Sequence, residues 1–171
     1  MAVTENNSLV TLDEAEDYFG GRLHAEAWDT AQPTEKPKAL ITATRQINAM
    51  QFQGVMASVS QPHAFPRCYT QESIPDASVR YRPAGVAVCE IEIPERVKEA
   101  CCEQALFLLA QSAYERKRNR DQAAGIHSMG VGSANEASSD KQVSKAQQGP
   151  RMAPEAATLL QPFIARVVNL S

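Results

Sequence analysis

The spacing of apolar residues near the start of the chain predicts a helix with defined ends. Thr11 and Glu14 have the spacing of a capping box, in which the Thr11 hydroxyl accepts from a first-turn amide and the Glu14 carboxylate reaches back to the Thr11 amide. One helical face collects Leu12, Ala15 and Phe19. Gly20-Gly21 predicts the end of the helix, because glycine accepts the left-handed conformation that often follows a helix.

Two further helices are predicted over residues 23–31 and 34–50. Pro37 lies early in the longer one, where a missing N–H costs little. Trp28, in the shorter one, is interpreted as an anchor in the core or in an interface rather than as a ligand platform.

The pattern changes between Gln53 and Glu92, where helical periodicity is lost and four prolines occur. A loop of this length inside a domain is usually functional or held by a partner. Its last part, 86–93, is rich in β-branched residues and predicts a strand that either pairs within the chain or extends a neighbour's sheet.

Pro94 opens the longest predicted helix, which reaches about residue 122 and forms the centre of the core. The polar segment 125–149 is either a mobile arm or a pair of strands ordered by another chain. Pro154 opens a last apolar helix. The fold class is therefore mainly α: a helical bundle (1–124) with a small β element and a long central loop (53–92), followed by an extended arm and a C-terminal helix (125–171).

Composition narrows the function classes. The net charge of −3 and the aromatic content of 6% argue against a dedicated nucleic-acid binder with a base-stacking surface. No apolar run approaches the roughly 20 residues that span a membrane, and the N-terminus lacks the features of a signal peptide, so a cytoplasmic protein is expected. The four cysteines form no C-x-x-C pair and are predicted to be reduced and mostly buried.

The sequence contains no recognisable catalytic or metal-binding motif. His24, His63 and His127 lie in separate segments, so no two of them form a helical i, i+4 metal pair. Phosphate-binding loops and the G-x-S-x-G nucleophile motif are absent from the sequence. We therefore expect no enzyme activity, no metal and no cofactor.

Two clusters remain as candidate contact sites. The cations of the first can contact phosphate, or they can form a solvated helix end; they are Arg116, Lys117, Arg118 and Arg120. In the second, Phe65-Pro66-Arg67, the ring either anchors a loop or makes a subunit contact, and Arg67 can reach a carboxylate bidentately.

Several segments, taken in order, resemble one family. They are Thr11–Ala15 with Tyr18-Phe19, Trp28, Lys38–Arg45, Phe52-Gln53-Gly54, Phe65-Pro66-Arg67, Ile93–Lys98 with Ala100-Cys101, and Pro154-Glu155-Ala156 with Leu159-Leu160. This series resembles the small neck proteins of tailed bacteriophages called head–tail connector, head-completion or adaptor proteins. One branch of them is often labelled a DnaT-like single-stranded DNA-binding protein.

The resemblance implies a structural protein of the virion neck that is assembled in the host cytoplasm. It implies a homo-oligomeric, twelve-subunit ring beneath the portal protein, which lengthens a channel for DNA without reading its sequence and presents a surface to the next neck, stopper or tail protein. It also implies that the C-terminal segment docks on the portal. The candidates for that contact are Pro154, Leu159, Leu160, Phe163 and Ile164.

Candidates for contacts between subunits are Phe65, Arg67, Arg116, Lys117, Arg118 and Arg120. A closed ring uses two different faces of each subunit, and we hypothesise that the acidic N-terminal stretch and the basic cluster at 116–120 supply complementary charges to them. The alternative function is that of a DnaT-like DNA-binding replication accessory protein.

Overall fold

The computed structural model describes residues 2–69, 88–111 and 152–165. The predictions for the start of the 86–93 strand, for the helix beyond residue 111, for the 125–149 segment and for the basic cluster lie outside these residues.

The described residues form a core of helices and a small antiparallel sheet. The helices are α1 (Leu12–Gly20), α2 (Glu26–Asp29), α3 (Lys36–Asn48), α4 (Glu95–Ala110) and α5 (Pro154–Leu160), and a 3₁₀ turn (Gln161–Phe163) follows α5. The strands are β1 (Val55–Met56), β2 (Arg67–Tyr69) and β3 (Val88–Cys89), in the order β1-β2-β3. The prediction of a mainly α fold with a small β element is confirmed.

The start of α1 is the predicted capping box. The Glu14 amide donates to the Thr11 hydroxyl at 3.2 Å, and the Thr11 amide donates to the Glu14 carboxylate at 2.8 Å. The helix ends at Gly20, as predicted, but Gly21 keeps a right-handed φ of −100°. The predicted left-handed cap is therefore wrong, because the Gly21 amide already bonds carbonyls of the last turn in the right-handed conformation.

Trp28 anchors the corner between α1, α2 and α3. Its side chain is fully buried and stacks on Phe19 with ring centroids 4.4 Å apart. The indole N–H donates to Glu16 at 3.2 Å, and Lys36 Nζ lies 5.0 Å from the ring centroid and 2.9 Å from the same carboxylate. The prediction that Trp28 is a core anchor is confirmed, and its one polar atom is satisfied as burial requires.

The helix α4 lies at the centre of the core, as predicted. It packs against α3 on one side and α5 on another. Gln104 on α4 is fully buried and links this helix to α3 and to the residue before α5. Its Nε2 donates to Gln46 at 2.7 Å, and its Oε1 accepts from the Ala153 amide at 2.7 Å. A buried amide has to be hydrogen-bonded, so Gln104 fixes where the chain rejoins the bundle before α5.

The carboxylate of Glu103 joins α4 to the end of α1. Glu103 is buried, and it accepts hydrogen bonds from the Tyr18 hydroxyl at 2.6 Å and from Arg22 Nη2 at 2.8 Å, with Arg22 Nε as a third donor. Burial, together with the neighbouring Glu103, holds the pKa of Tyr18 above its usual value, and the hydrogen bond to Glu103 raises the pKa of Arg22. The charge of Glu103 is thus compensated within the fold.

The four cysteines divide into two pairs. Cys101 and Cys102 are free and buried, as predicted, and burial raises the pKa of Cys101 to about 12. Cys68 and Cys89 form a disulfide bond, so the prediction that they are reduced is wrong. The reason is tertiary: the register of β2 and β3 places the two residues directly opposite each other. The β3 strand accordingly pairs within the chain, which decides between the two alternatives for its segment.

Within the described ranges, no helix is long and apolar enough to cross a membrane.

Replacing Glu103 by Gln should lower the free energy of unfolding by about 2–3 kcal/mol, because Arg22 loses the charge that compensates it inside the fold. Urea denaturation measures the change. Asp17→Asn is the matched control, an exposed acid on α1 whose loss should change stability by less than about 0.5 kcal/mol. Equal midpoints for the two variants would contradict the assignment.

Candidate interaction surface

The guanidinium of Arg67 organises the irregular segment between α3 and β2. Arg67 is 8% exposed, and its donors bond backbone carbonyls: Nε to Gln53 at 2.6 Å, Nη1 to Ala64 at 3.0 Å, and Nη2 to Phe52 at 3.2 Å and Gly54 at 2.7 Å. The predicted bidentate contact with a carboxylate is therefore wrong. Four backbone carbonyls lie close together here because this stretch lacks regular secondary structure. One guanidinium has enough N–H donors to bond all four of them.

Aromatic rings cover the same guanidinium. The Cζ atom of Arg67 lies 5.9 Å from the ring centroids of both Phe52 and Phe65. Phe65 in turn meets Phe52 and Phe163 edge to face, with centroids 4.8 and 5.5 Å away. Phe65 is 1% exposed, so the loop-anchor alternative holds for Phe65-Pro66-Arg67 in the isolated chain.

The C-terminal segment closes over this cluster. The Gln53 amide donates to the Phe163 carbonyl at 2.8 Å, its side-chain Nε2 donates to the Ile164 carbonyl at 2.8 Å, and the Ala165 amide donates to Gln51 at 3.1 Å. The C-terminal segment thus meets residues 51–53 next to the start of β1.

Gly54 permits the close approach of β1 to β2. Its φ is +70°, a value that favours glycine. A Cβ at this position would lie 2.8 Å from Tyr69 Cδ1 and would also meet the Cys68 backbone. The turn into β1 therefore requires glycine.

The strand β1 and the turn after it expose large apolar side chains. Val55 is 65% exposed, Met56 48% and Val59 99%; we call these three residues the β1 edge patch. β1 is an outer strand of the sheet, and residues 46–66 contain no Asp, Glu, Lys or Arg. Edge strands are commonly protected by charge, so an uncharged apolar edge indicates a contact surface.

The β1 edge patch was missed from the sequence, since a two-residue strand leaves no alternation to detect. The charge-free run from 46 to 66 is the signal that could have found it.

An open groove of about 560 Å³ lies beside the patch, and its polar walls are already hydrogen-bonded. The His63 Nε2 donates to the Glu5 carbonyl at 2.8 Å, which leaves Nδ1 to accept from Asn48 Nδ2 at 3.1 Å. Asn48 Oδ1 accepts from the Ala64 amide, and Gln61 Nε2 donates to the carbonyls of His63 and Pro66. These groups hold the loop in place and are not arranged for proton transfer.

The surface near α1 and α2 has a different character. Asp13, Asp17, Glu26 and Asp29 are exposed there. The hydrogen bond from Lys36 holds the pKa of Glu16 below its usual value, so this carboxylate is ionised at neutral pH as well. The described surface at this corner is acidic and would repel a phosphate backbone.

The aromatic rings of the described residues point inward. Phe19, Trp28, Phe52, Phe65, Tyr69 and Phe163 are buried, while Tyr18 and Phe107 are half-buried. Base stacking needs an exposed ring face, and each of these side chains is buried or half-buried. Nor does any group of three His, Cys, Asp or Glu side chains in the described ranges form a place for a metal ion.

The predicted portal-contact residues have different surroundings. Leu160 and Phe163 are buried in the chain's own core, Leu159 and Ile164 are half-buried, and Pro154 is exposed. The subunit-contact candidates Phe65 and Arg67 point inward. The remaining candidates, Arg116, Lys117, Arg118 and Arg120, lie outside the described residues.

Replacing Arg67 by Met should lower the free energy of unfolding by about 3–4 kcal/mol, because four carbonyls lose their donor while the aromatic contact is kept. Arg67→Lys should fall between Met and the wild type, since an ammonium cannot reproduce the planar fork. Thermal and urea unfolding measure both variants. The exposed Arg45→Met serves as control, and an Arg67→Met variant as stable as that control would refute the role of Arg67.

Comparisons with known proteins place the chain in a family. It matches the family described as "Putative DnaT-like ssDNA binding protein" over residues 1–169. Comparison with curated proteins finds no match, and comparison with solved structures finds none either. Because the family match spans nearly the whole sequence, this chain belongs to the DnaT-like ssDNA binding protein family.

Proposed function

We propose that the protein is a structural head–tail adaptor of a tailed-bacteriophage neck, in which copies of the chain form a ring beneath the portal, extend the DNA channel and connect to the next neck or tail protein. The observation that carries this proposal is the β1 edge patch. It is an apolar, uncharged outer strand, and in the described ranges the aromatic rings are buried or half-buried and the polar groups of the loop are hydrogen-bonded within the chain. Such a surface suits contact with another protein.

Self-association is favoured at this patch by electrostatics. The described residues carry more acids than bases, so most of their surface repels an identical copy, whereas the stretch from 46 to 66 carries neither sign. In a closed ring each subunit uses two different faces. The acidic corner at α1 and α2 and the basic cluster at 116–120 supply a second, complementary pair of surfaces.

We propose that the C-terminal segment docks on the portal through only some of the predicted contact residues. Pro154, Leu159 and Ile164 keep exposed or half-exposed surface on α5 and the turn after it, whereas Leu160 and Phe163 serve the core. The contact we propose therefore uses the exposed surface of α5 and of the turn after it, and does not require the segment to leave the bundle.

A DNA-binding replication accessory is the second candidate function. Two observations favour it: the family's description names ssDNA binding, and the sequence concentrates four cations within residues 116–120. Phosphate contacts by that cluster would give a strongly salt-dependent affinity.

The first test is electron microscopy of the purified protein mixed with the portal of its own phage. The adaptor proposal expects a ring collar on the portal. Val55→Glu combined with Val59→Glu should reduce the fraction of portals with a collar by about tenfold, because it places charge on the contact edge. The matched control is Leu23→Glu, which charges an 82% exposed leucine away from the sheet and should leave collars unchanged.

Fluorescence anisotropy with labelled oligonucleotides at several salt concentrations is the second measurement. Salt-sensitive binding of oligonucleotides, together with no collar on the portal, would refute the adaptor function and support the DNA-binding accessory function. Collars that form equally well with the doubly charged patch would refute the assignment of the contact to β1.

A further inference from the structure

The disulfide between Cys68 and Cys89 lies at the surface, unlike the other two cysteines. Cys89 is exposed and Cys68 is half-buried, whereas Cys101 and Cys102 are buried. Thiol–disulfide exchange requires access to the sulfur atoms and a thiolate as the attacking group. Burial also raises the pKa of the Cys101 and Cys102 thiols, which keeps them protonated near neutral pH. An external thiol can therefore reach the Cys68–Cys89 bond, while the buried pair takes no part in exchange.

The bond joins a very short strand to the sheet. The strand β3 has two residues, and besides the disulfide it is held to β2 by the pairing of Val88 with Tyr69 and by hydrogen bonds of Glu90. The Glu90 amide donates to the Arg67 carbonyl, and the Glu90 carboxylate accepts from the Arg67 amide and the Tyr69 hydroxyl, each at 2.9 Å. After reduction, the pairing of Val88 with Tyr69 and the hydrogen bonds of Glu90 would be the remaining attachments of β3 to β2.

We propose that Cys68 and Cys89 form a redox-sensitive clasp that links β3 covalently to the sheet when oxidised and leaves it held by non-covalent contacts alone when reduced. To close the clasp, the two thiols lose two protons and two electrons and form one S–S bond. A small disulfide such as glutathione disulfide accepts them and becomes two glutathione thiols, and excess glutathione reverses the step. Because β1 pairs with β2, the clasp acts on the sheet that carries the β1 edge patch.

The proposed function gives the clasp a place in assembly, and this step rests on that function. Cytoplasmic thiols are held reduced, whereas the medium around a released particle is oxidising. The clasp is then open while subunits assemble and closed in the finished neck. Closure constrains a loop with a sequence separation of 21 residues, and such a cross-link stabilises the folded chain mainly by restricting the unfolded one.

The clasp is tested on the purified full-length chain in glutathione buffers of different oxidation state. The oxidised protein should melt about 5–10 °C above the reduced protein. Cys68→Ser combined with Cys89→Ser should remove this difference, whereas Cys102→Ala should lower both melting temperatures and keep the difference. Identical melting of the oxidised and reduced wild type would overturn the clasp, as would a difference that survives in the double variant.

Alkylation of the native protein with iodoacetamide, followed by peptide mass analysis, tests when the clasp closes. Cys68 and Cys89 should be labelled in infected cells during assembly and protected in released particles, while Cys101 and Cys102 stay protected in both until the protein is denatured. Equal labelling of Cys68 and Cys89 in cells and particles would overturn closure after assembly. If the chain is missing from particles, the adaptor function fails, while the melting experiment still decides on the clasp.

Discussion

The hydrogen bonds of Arg67 to four backbone carbonyls are the constraint on which the irregular half of this fold depends. Residues 52–66 have almost no regular secondary structure to satisfy their backbone groups, and unpaired buried carbonyls would be costly. One guanidinium fixes the positions of Phe52, Gln53, Gly54 and Ala64 together. The sheet and the return of the C-terminal segment are both built on the stretch that it holds.

Hydrogen bonds of polar side chains within the chain also determine which groups the surface offers. Glu103 and Gln104 lie next to each other on α4 and direct their side-chain bonds to other segments of the same chain. His63 and Asn48 do the same for the loop beside the groove. Once these groups are bonded internally, the described groove offers no set of free donors for chemistry. The described surface includes an acidic corner and an apolar edge, two features that can distinguish one protein partner from another.

Local signals predicted the helical half of the fold. The capping box at Thr11, the early Pro37 and the apolar face before Gly20 act within a few residues of one another, so the sequence alone contains their geometry. The burial of Trp28 was also predictable, because a large aromatic ring in a short amphipathic stretch usually packs into the core.

The sheet could not be predicted in the same way, because its strands are two or three residues long and are held by distant partners. Cys68 and Cys89 become neighbours only through the register of β2 and β3, and Arg67 finds its carbonyls only after the loop has folded. The β1 edge patch is likewise invisible to periodicity. A run without charge indicates an unusual surface, but only the order of the strands shows that this run forms an open edge.

The family's description and the described surface favour different partners, and the distribution of charge along the sequence explains how both can hold. Acids outnumber bases among the described residues, while the four cations of 116–120 lie outside them. In the proposed ring, each subunit would have one face toward the channel and others toward its neighbours, so cations that contact passing DNA and an apolar edge that contacts a protein would not compete for the same surface. Contacts of this kind with phosphate carry no sequence information, which is what a channel for DNA requires.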